Sequence, residues 1–233
     1  MAGPLFHADW VEAIFLHYEV EPAALQPLTP FPLDLRDGKA WVSLVHFFLR
    51  GMRWHSLPWL GKWIMRPLSD HPFLNVRTYV RHGGETGIYF LSEWLPNRLA
   101  IPLGRPIFGL PYYFGRFHGR HDPARGRVGA TISGAPGVLR YRGKIDGAPP
   151  APCRPGSLDE FLLERYTAFT QWRGVRRFFR IWHEPWPAVP LIAEIELDSL
   201  LHGNGSWAGA ARYHGAHYSS GVADVWMGQP QIL

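Results

Sequence analysis

The sequence predicts a mainly β protein with a few short helices, in which an antiparallel sheet closes, or nearly closes, into a barrel. Three observations indicate this fold class. Apolar and polar residues alternate along many short stretches. The 22 prolines and 25 glycines are spread along the whole chain, between those stretches. Few stretches show helical spacing. Short strands at hairpin spacing are typical of closed antiparallel sheets.

The first part of the chain is predicted to begin with a helix and to continue as strands. Asp9 can cap a short amphipathic helix over residues 8–19, because Glu12 follows three residues later and apolar residues recur at helical spacing. The prolines between residues 22 and 32 exclude a long helix in the next connector. The pattern then predicts strands at 39–50, 73–81 and 86–93, an apolar loop or short helix at 57–68, and a glycine hairpin at 82–85.

The second part is predicted to be mostly strands. Ser157 and Glu160 form a capping box, so a short helix should run from there to about Arg165. The glycine-, serine- and histidine-rich tail from Leu201 to Leu233 is expected to be irregular. No internal repeat or linker is visible, so residues 1–233 are predicted to be one domain. The other expected elements are a helix at 96–103 that ends at 104–106, and strands at 112–118, 127–133, 137–144, 166–172, 175–182 and 191–197.

Composition narrows the class of protein. The chain is 46% hydrophobic and 15% aromatic, which is enough for a sizeable core and argues against disorder. Its one cysteine, Cys153, excludes an intramolecular disulfide. No signal-peptide pattern and no long apolar run occurs, so we expect a soluble cytoplasmic protein with no membrane partner. The net charge of +5 comes mainly from arginine, and no basic cluster indicates nucleic-acid binding.

The most informative segment is the strand predicted at residues 73–81. Alternation puts Asn75, Arg77 and Tyr79 on one face and Leu74, Val76 and Val80 on the other. If the polar face lines a barrel interior, Arg77 suits a carboxylate or enolate, because its guanidinium forms two parallel hydrogen bonds. If that face meets solvent, Arg77 belongs to a surface ion pair. The pattern alone leaves both alternatives open.

Two other segments carry groups that could act on a ligand. Tyr112 and Tyr113 follow Pro111, and a phenol within an apolar wall can act as a general acid or can simply be a tethered core residue. His183, in the run His183-Glu184-Pro185-Trp186-Pro187, could be a base or could tie down a stiff turn. Arg165, between Glu164 and Tyr166, is expected to form an internal ion pair that supports a wall.

We expect no metal and no cofactor. The spacing His-x-x-His occurs at His118/His121 and at His214/His217, but neither stretch is helical in pattern. No carboxylate or cysteine stands at a spacing that would complete a zinc site. No glycine-rich phosphate loop and no Gly-x-Ser-x-Gly motif is present.

Four of these motifs together resemble the DUF2071, or YqjF-like, family. They are Asn75-Val76-Arg77-Thr78-Tyr79-Val80, Leu110-Pro111-Tyr112-Tyr113, Glu164-Arg165-Tyr166 and His183-Glu184-Pro185-Trp186-Pro187, and the resemblance covers about residues 8–200. It implies an antiparallel β barrel or cone similar to acetoacetate decarboxylase, with an enclosed pocket.

The resemblance also limits the chemistry. Acetoacetate decarboxylase works through a Schiff-base lysine with a second lysine beside it. Here Tyr112 and Tyr113 follow Pro111 at the matching place, and a tyrosine cannot form an imine. The carboxylate that commonly precedes the Asn-Val-Arg run is also replaced, by Phe73-Leu74. Schiff-base decarboxylation is therefore not expected.

Two classes of function remain, together with a structural alternative. The first is a pocket protein that acts as a cofactor-independent lyase, cyclase or isomerase on a small carboxylic, β-keto or polyketide-like substrate. The second is a non-catalytic small-molecule-binding barrel, and the third is a barrel filled by its own aromatic side chains. The partner is a small molecule, and a homo-oligomer is left open. For an enzyme we expect Arg77, Tyr112, Tyr113 and His183 to be catalytic and Asn75, Tyr79, Arg165 and Trp186 to bind the ligand.

Overall fold

The computed structural model describes residues 3–56, 58–119, 121–135, 137–203 and 205–233. The described chain is mainly β, which confirms the predicted fold class. Its strands are β1 (Pro4–Val20), β2 (Ala40–Trp54), β3 (His71–His82), β4 (Glu85–Leu95), β5 (Tyr112–Gly119), β6 (Arg127–Gly134), β7 (Gly137–Ile145), β8 (Thr167–Trp172), β9 (Val175–Trp182), β10 (Ala188–Asp198), β11 (Arg212–Gly228) and β12 (Gln231–Ile232).

The helices are short and lie between the strands. Single turns of 3-10 helix follow α1 and α2, and others lie at Pro123–Arg125 and Ser206–Ala210. None of the helices in the described part of the chain has the length and apolar character needed to span a bilayer. The α-helices are α1 (Pro22–Leu25), α2 (Pro58–Met65), α3 (Ile101–Phe108), α4 (Leu158–Leu163) and α5 (Ser199–His202).

The sheet closes twice, so two barrels share one wall. Strand β9 pairs with β11, which closes a ring in the order β1-β2-β3-β4-β8-β9-β11. Strand β5 pairs with β4, which closes a second ring in the order β1-β2-β3-β4-β5-β6-β7-β10-β11. We call these the seven-strand barrel and the nine-strand barrel. The pairings are antiparallel except for β4 with β5 and β4 with β8.

Each barrel holds its own hydrophobic core, because the shared strands are apolar on both faces. On β3, Leu74, Val76 and Val80 pack into the nine-strand barrel, whereas Phe73 and Tyr79 pack into the seven-strand barrel. The alternation predicted for this strand is confirmed. Leu162 and Leu163 of α4 and Met65 of α2 join the core of the seven-strand barrel, as does Phe108 of α3.

The N-terminal helix predicted for residues 8–19 is wrong. These residues belong to β1, which pairs with β2 on one side and with β11 on the other. Glu12 has a φ of 53° and lies where the register with β2 shifts between Val11 and Ile14. A bulge interrupts the two-residue alternation of side chains along a strand, so the spacing of the apolar residues in β1 resembles that of a helix. The pairing of β1 with a strand on each side outweighs this local pattern.

Two other expectations need correction. The helix predicted at 96–103 is α3, which begins at Ile101 and runs through Gly104 to end before Gly109, whose φ is 76°. Gly104 is a packing glycine and not a helix breaker, because the ring of Tyr112 lies against it. The tail predicted to be irregular contains β11, whose glycine- and serine-rich sequence is held extended by pairing with β1.

Other predicted elements are confirmed. The hairpin at 82–85 forms, with positive φ at Gly83 and Gly84. At the start of α4, the hydroxyl oxygen of Ser157 accepts a hydrogen bond from the backbone amide of Glu160. The segment predicted at 57–68 as a loop or short helix contains α2, although Leu57 lies outside the described residues. The prediction of a single domain stays a prediction.

The parallel contact between β4 and β8 depends on Gly87. A Cβ at this buried position would lie 2.5 Å from the carbonyl oxygen of Thr167 and 2.8 Å from the ring of Phe169. We therefore expect Gly87→Ala to destabilise the fold by about 2 kcal/mol, which lowers the midpoint of thermal unfolding by roughly 4–8 °C. Gly215→Ala is the control, because a Cβ there has no neighbour within 4 Å. An unchanged midpoint for Gly87→Ala would contradict this account of the closure.

Candidate functional site

The seven-strand barrel contains a cavity of about 80 Å³. This volume holds a few water molecules or a small organic molecule. Its wall is mainly aromatic and aliphatic, with Phe6, Trp10, Phe47, Phe73, Phe108 and Phe179 among the contacts. Among the described lining residues, the side-chain amide, carboxyl and phenol groups are those of Asn75, Glu93 and Tyr112, and the indole of Trp10 adds a buried N–H donor. Their position identifies the candidate site.

These three residues form a row across neighbouring strands. Asn75 of β3 pairs with Glu93 of β4, and Glu93 pairs with Tyr112 of β5. The amide of Glu93 also donates to the carbonyl oxygen of Pro111, 3.0 Å away. Cross-strand neighbours have Cβ atoms about 5 Å apart, so the amide, carboxyl and phenol can reach one small ligand. We call this set the polar row.

Burial favours the uncharged forms of the two acids in the polar row. Glu93 is 4% exposed, and its Oε2 has no hydrogen-bond partner among the described residues. Desolvation raises the pKa of the Glu93 carboxyl well above its usual value of 4.5. Burial also raises the pKa of the Tyr112 phenol, and Glu93 adds to that rise. Burial therefore favours the neutral form of both groups, and in that form each carries a proton that it can donate.

The third member of the polar row can accept a hydrogen bond. Asn75 is 8% exposed, and its Oδ1 has no partner among the described residues. A buried polar atom without a partner costs about 1–3 kcal/mol. The unpaired oxygens of Asn75 and Glu93 therefore destabilise the fold. A bound ligand or water molecule that formed hydrogen bonds to them would offset this free-energy cost.

Arg77 lies two residues from Asn75 on the same face of β3. The alternative that this face meets solvent is wrong. The side chain of Arg77 is buried, and Nη2 donates to the carbonyl oxygen of Leu162 at 3.0 Å. Its guanidinium carbon lies 5.7 Å from the centre of the Phe15 ring. Within the described residues no carboxylate lies in ion-pair range of it, and its Nε has no hydrogen-bond partner. A positive charge is thus enclosed without a counter-ion.

Tyr79 and Arg165 hold α4 over the end of the seven-strand barrel. The hydroxyl of Tyr79 donates to the carbonyl oxygen of Leu162 at 2.7 Å. Arg165 pairs with Asp34 at 2.9 Å and donates from Nε to the carbonyl oxygen of Phe161. The internal ion pair predicted for this segment is therefore present, with Asp34 as its partner. Both side chains support the cover of the barrel and lie outside the lining of the cavity.

His183 and Trp186 form a turn beside the cavity wall. His183 is 3% exposed, its Nδ1 donates to the carbonyl oxygen of Glu184 at 2.7 Å, and burial lowers its pKa to about 4. The indole of Trp186 packs 5.1 Å from the His183 ring and 6.2 Å from Trp10, which lines the cavity. The backbone amide of Trp186 donates to Glu164. This geometry fits a histidine that ties down a turn.

Tyr113 is not brought to the cavity. It is 40% exposed and packs against Trp94 and Arg105. Adjacent residues of a strand point to opposite faces, so Tyr112 and Tyr113 cannot both line one wall. Of the two tyrosines that were expected as the acid, Tyr112 is the one that reaches the cavity.

Sequence reasoning missed Glu93. Counted from the hairpin, Asn75 would pair with Ser92, but the register shifts between Val76 and Arg77, so Asn75 meets Glu93. Leu91 is the extra residue, and it turns Glu93 into the seven-strand barrel. An acid near the end of a mainly apolar strand was the signal available, but its face depends on the bulge.

The surroundings of the other reactive groups are also defined. None of the described lining residues of the cavity is a lysine, and Lys39 lies at the surface beside Glu21. The side chain of Lys62 is outside the described residues. Among those residues no group of three histidine, cysteine, aspartate or glutamate side chains is placed to hold a metal ion.

Comparison with known proteins gives one family and one fold. The model of the DUF2071 family, described as an uncharacterized conserved protein, matches residues 7–223. The uncharacterized protein YqjF of Bacillus subtilis is 31% identical over 212 residues, which cover 86% of this chain and 82% of that protein.

Solved structures with little sequence identity share the fold. Acetoacetate decarboxylase from Legionella pneumophila matches all of this chain and 88% of its own, with a TM-score of 0.67 and 14% identity. The enduracididine biosynthesis enzyme MppR complexed with pyruvate matches all of this chain and 91% of its own, with a TM-score of 0.67 and 13% identity. The barrel implied by the sequence resemblance is confirmed.

The raised pKa of Glu93 has a consequence for stability. When the pKa of a carboxyl is higher in the folded protein than in the unfolded chain, its protonated form stabilises the fold. This stabilisation is complete at a pH below the pKa of the unfolded chain, and it is lost as the pH rises toward the pKa of the folded protein. Relative to wild type, Glu93→Gln should therefore gain more than about 1 kcal/mol in unfolding free energy between pH 5 and pH 8. Urea unfolding at both pH values measures this difference. Glu194→Gln, at an exposed site, is the control, and equal behaviour of the two variants would exclude a neutral Glu93.

Proposed function

This chain belongs to the DUF2071 family, and we propose that it binds a small carboxylic, β-keto or polyketide-like molecule in the cavity and transfers a proton at its carbonyl group without a cofactor. The observation that carries the proposal is the polar row of Asn75, Glu93 and Tyr112 in an apolar cavity. Two neutral acids placed side by side are suited to one carbonyl oxygen.

The wall of the cavity supports the substrate class. Its aromatic side chains favour a compact apolar body, and its size excludes a large ligand. Arg77 stands two residues from Asn75 on the same face of β3, about 7 Å along the strand. Its uncompensated charge favours a negative charge on the ligand, such as a carboxylate or a developing enolate. A small keto acid combines these properties.

The chemistry follows from the protonated state of the polar row. Hydrogen bonds from Glu93 and Tyr112 to a carbonyl oxygen draw electrons toward that oxygen. This weakens an adjacent carbon–carbon or carbon–hydrogen bond. When the bond to a carboxylate breaks, one Glu93 oxygen gives its proton to the carbonyl oxygen, and the products are a neutral enol, carbon dioxide and the Glu93 carboxylate, which solvent reprotonates. When a carbon–hydrogen bond breaks, the second Glu93 oxygen takes the proton from carbon as the first gives its proton to the carbonyl oxygen, so the enol forms and Glu93 stays protonated. Return of the proton to carbon restores the carbonyl. Lyases, isomerases and cyclases share this step, and it needs no amine.

The fold neighbours support the same class of ligand. One of them is complexed with pyruvate, a small keto acid, and another is named for acetoacetate. At 13% and 14% identity they share the fold with this chain. Because no lysine is among the described lining residues, the proposal uses the neutral acids where an imine would otherwise form.

A second candidate is a non-catalytic binding protein. Its support is that the groups expected to act as base or anchor already have protein partners: His183 bonds to the Glu184 carbonyl oxygen, and Tyr79 bonds to the Leu162 carbonyl oxygen. An apolar cavity with one polar row can hold a ligand without reacting with it.

One experiment separates these candidates. Binding of acetoacetate and pyruvate is measured by calorimetry, and turnover or deuterium uptake in D₂O by proton NMR. We expect binding to the wild type, and a rate that falls roughly 10²- to 10⁴-fold in Tyr112→Phe and Glu93→Gln. Affinity should change much less than rate. Tyr113→Phe, which alters the exposed neighbour, should react like the wild type.

The other outcomes are equally informative. Binding of either acid with no reaction in the wild type would favour the non-catalytic candidate. The proposal fails if neither acid binds or stabilises the wild type, because a ligand present at 100 times its dissociation constant should add about 2.7 kcal/mol to the unfolding free energy.

A further inference from the structure

A second cavity, of about 260 Å³, lies in the nine-strand barrel. It is lined from β2, β3, β5 and β6 and from the residues that follow β5. On β2, Phe47 lines the cavity of the seven-strand barrel, whereas His46 and Phe48 line the second cavity, because adjacent residues of a strand face opposite ways. The shared wall therefore separates the second cavity from the polar row. His118 and His121, the first of the two His-x-x-His pairs, both line it.

Two histidines of this lining are buried and have an unpaired nitrogen each. His46 is 3% exposed, and the side chain of His121 is 1% exposed. Their ring centres lie 5.3 Å apart. In the part of the chain that the structure describes, Nε2 of neither ring has a hydrogen-bond partner. A phenylalanine would fill either position without leaving a polar atom unpaired, so packing alone does not account for the two rings.

Tyr141 determines which nitrogen of His46 carries the proton. Nδ1 of His46 lies 2.6 Å from the hydroxyl of Tyr141, and within the described residues that hydroxyl has no other partner. Burial raises the pKa of the Tyr141 phenol, so it keeps its proton and must donate it to Nδ1. Burial also lowers the pKa of His46 to about 3, which favours the neutral ring. A neutral ring that accepts at Nδ1 carries its proton on Nε2, so His46 offers a donor to the cavity.

Glu12 favours the opposite tautomer of His121. Nδ1 of His121 lies 3.3 Å from Oε2 of Glu12, in ion-pair range although the two groups are not aligned for a hydrogen bond. A carboxylate can only accept, which favours a proton on Nδ1 and leaves a lone pair on Nε2. Burial lowers the pKa of His121, and the Glu12 carboxylate opposes this shift. Glu12 reaches the ring from the bulge in β1, where its φ of 53° is rare for a residue other than glycine.

A hydroxyl group satisfies both rings at once, because it accepts one hydrogen bond and donates another. The spacing of the two rings permits one oxygen atom to reach both Nε2 atoms. None of the described residues in this lining is an arginine or a lysine, and the Glu12 carboxylate lies beside His121, so an anionic ligand is disfavoured. The rings of Phe48 and Phe117 favour an apolar body. A metal ion is not indicated, because Nε2 of His46 carries a proton.

We propose that the second cavity binds a small apolar molecule with one hydroxyl group, a phenol or a cyclic alcohol. His46 donates from Nε2 to the hydroxyl oxygen, and the hydroxyl donates to Nε2 of His121. Tyr141 and Glu12 are positioning residues, because they set the tautomers of the two rings. This site is separate from the cavity assigned to the keto acid, and it does not depend on the proposed function.

Phenol and anisole test the proposal, because the methyl ether keeps the oxygen acceptor and lacks the hydroxyl proton. Calorimetry measures the dissociation constant of each. We expect phenol to bind about 10-fold more tightly than anisole, since anisole leaves Nε2 of His121 unpaired. His121→Phe should weaken phenol binding by about the same factor. His71→Phe, which changes a buried histidine outside the lining of both cavities, is the matched control. Equal affinity of the wild type for phenol and anisole overturns the proposal.

A variant of the other cavity locates the bound phenol. Glu93→Gln alters the polar row and should change the dissociation constant of phenol by less than about twofold, because the two sites are separate. If Glu93→Gln weakens phenol binding and His121→Phe does not, phenol occupies the cavity of the seven-strand barrel and the proposal is wrong. No binding of phenol to the wild type also overturns it, since the unpaired nitrogens would then serve water alone.

Nitrogen-15 NMR of the histidine rings tests the site without any variant. The proposal requires a proton on Nε2 of His46 and on Nδ1 of His121, and phenol should shift the Nε2 resonances of both rings. A proton on Nδ1 of His46 would remove the donor and overturn the proposal. These signals do not depend on whether pyruvate binds, so failure of the proposed function and failure of this site are distinguishable.

Discussion

Five strands, β1, β2, β3, β4 and β11, form a wall with a hydrophobic core on each side, and the rest of the structure depends on this wall. Along most of the length of β2, β3 and β4 neither face is free to meet solvent. Every polar side chain on the wall must therefore find a partner or remain unpaired at a cost of about 1–3 kcal/mol. Asn75 and Glu93 of the polar row are located on this wall, on its seven-strand face, and so are the buried side chains of His17, Ser43 and Tyr79.

The double closure also explains why the site is on that side. In the described residues the two barrels separate at β4, which pairs with β8 in one ring and with β5 in the other, and at β11, which pairs with β9 and β10. Strand β4 meets β8 at Ile88 and Tyr89 and meets β5 from Glu93 onward. The register shift beside Val76 lies between these two parts, and it brings Glu93 to the cavity together with Asn75 and Tyr112.

Regular alternation could be predicted from the sequence, and departures from it could not. The grouping of Asn75, Arg77 and Tyr79 on one face of β3 was correctly predicted because the pairing of this strand with β2 has no interruption there. Whether that face meets solvent or a barrel interior was left open by the pattern. The N-terminal strand was mistaken for a helix, and Glu93 was missed, because a bulge changes the period at Glu12 and at Leu91. Whether a strand bulges is decided by its neighbours in the folded sheet, which sequence periodicity does not contain. The resemblance to a known family supplied the barrel. The closure of β4 on β5 joins residues 19 positions apart, and the hydrogen bonds of His17 to Ser43 and His217 join residues 26 and 200 positions apart, so sequence periodicity shows neither.

The extra residue in β4 determines which side chains of this strand face the pocket, and this has a consequence for how the pocket can evolve. If the bulge lay beyond Leu95 instead of at Leu91, regular pleating from Phe90 onward would present Ser92 and Trp94 to the cavity in place of Glu93 and Leu95. Such a change in the position of the bulge would exchange a carboxylic acid for an indole without any substitution among the residues that line the remaining walls. Families built on this double barrel thus have a route to new pocket chemistry through the position of one bulge as well as through substitution.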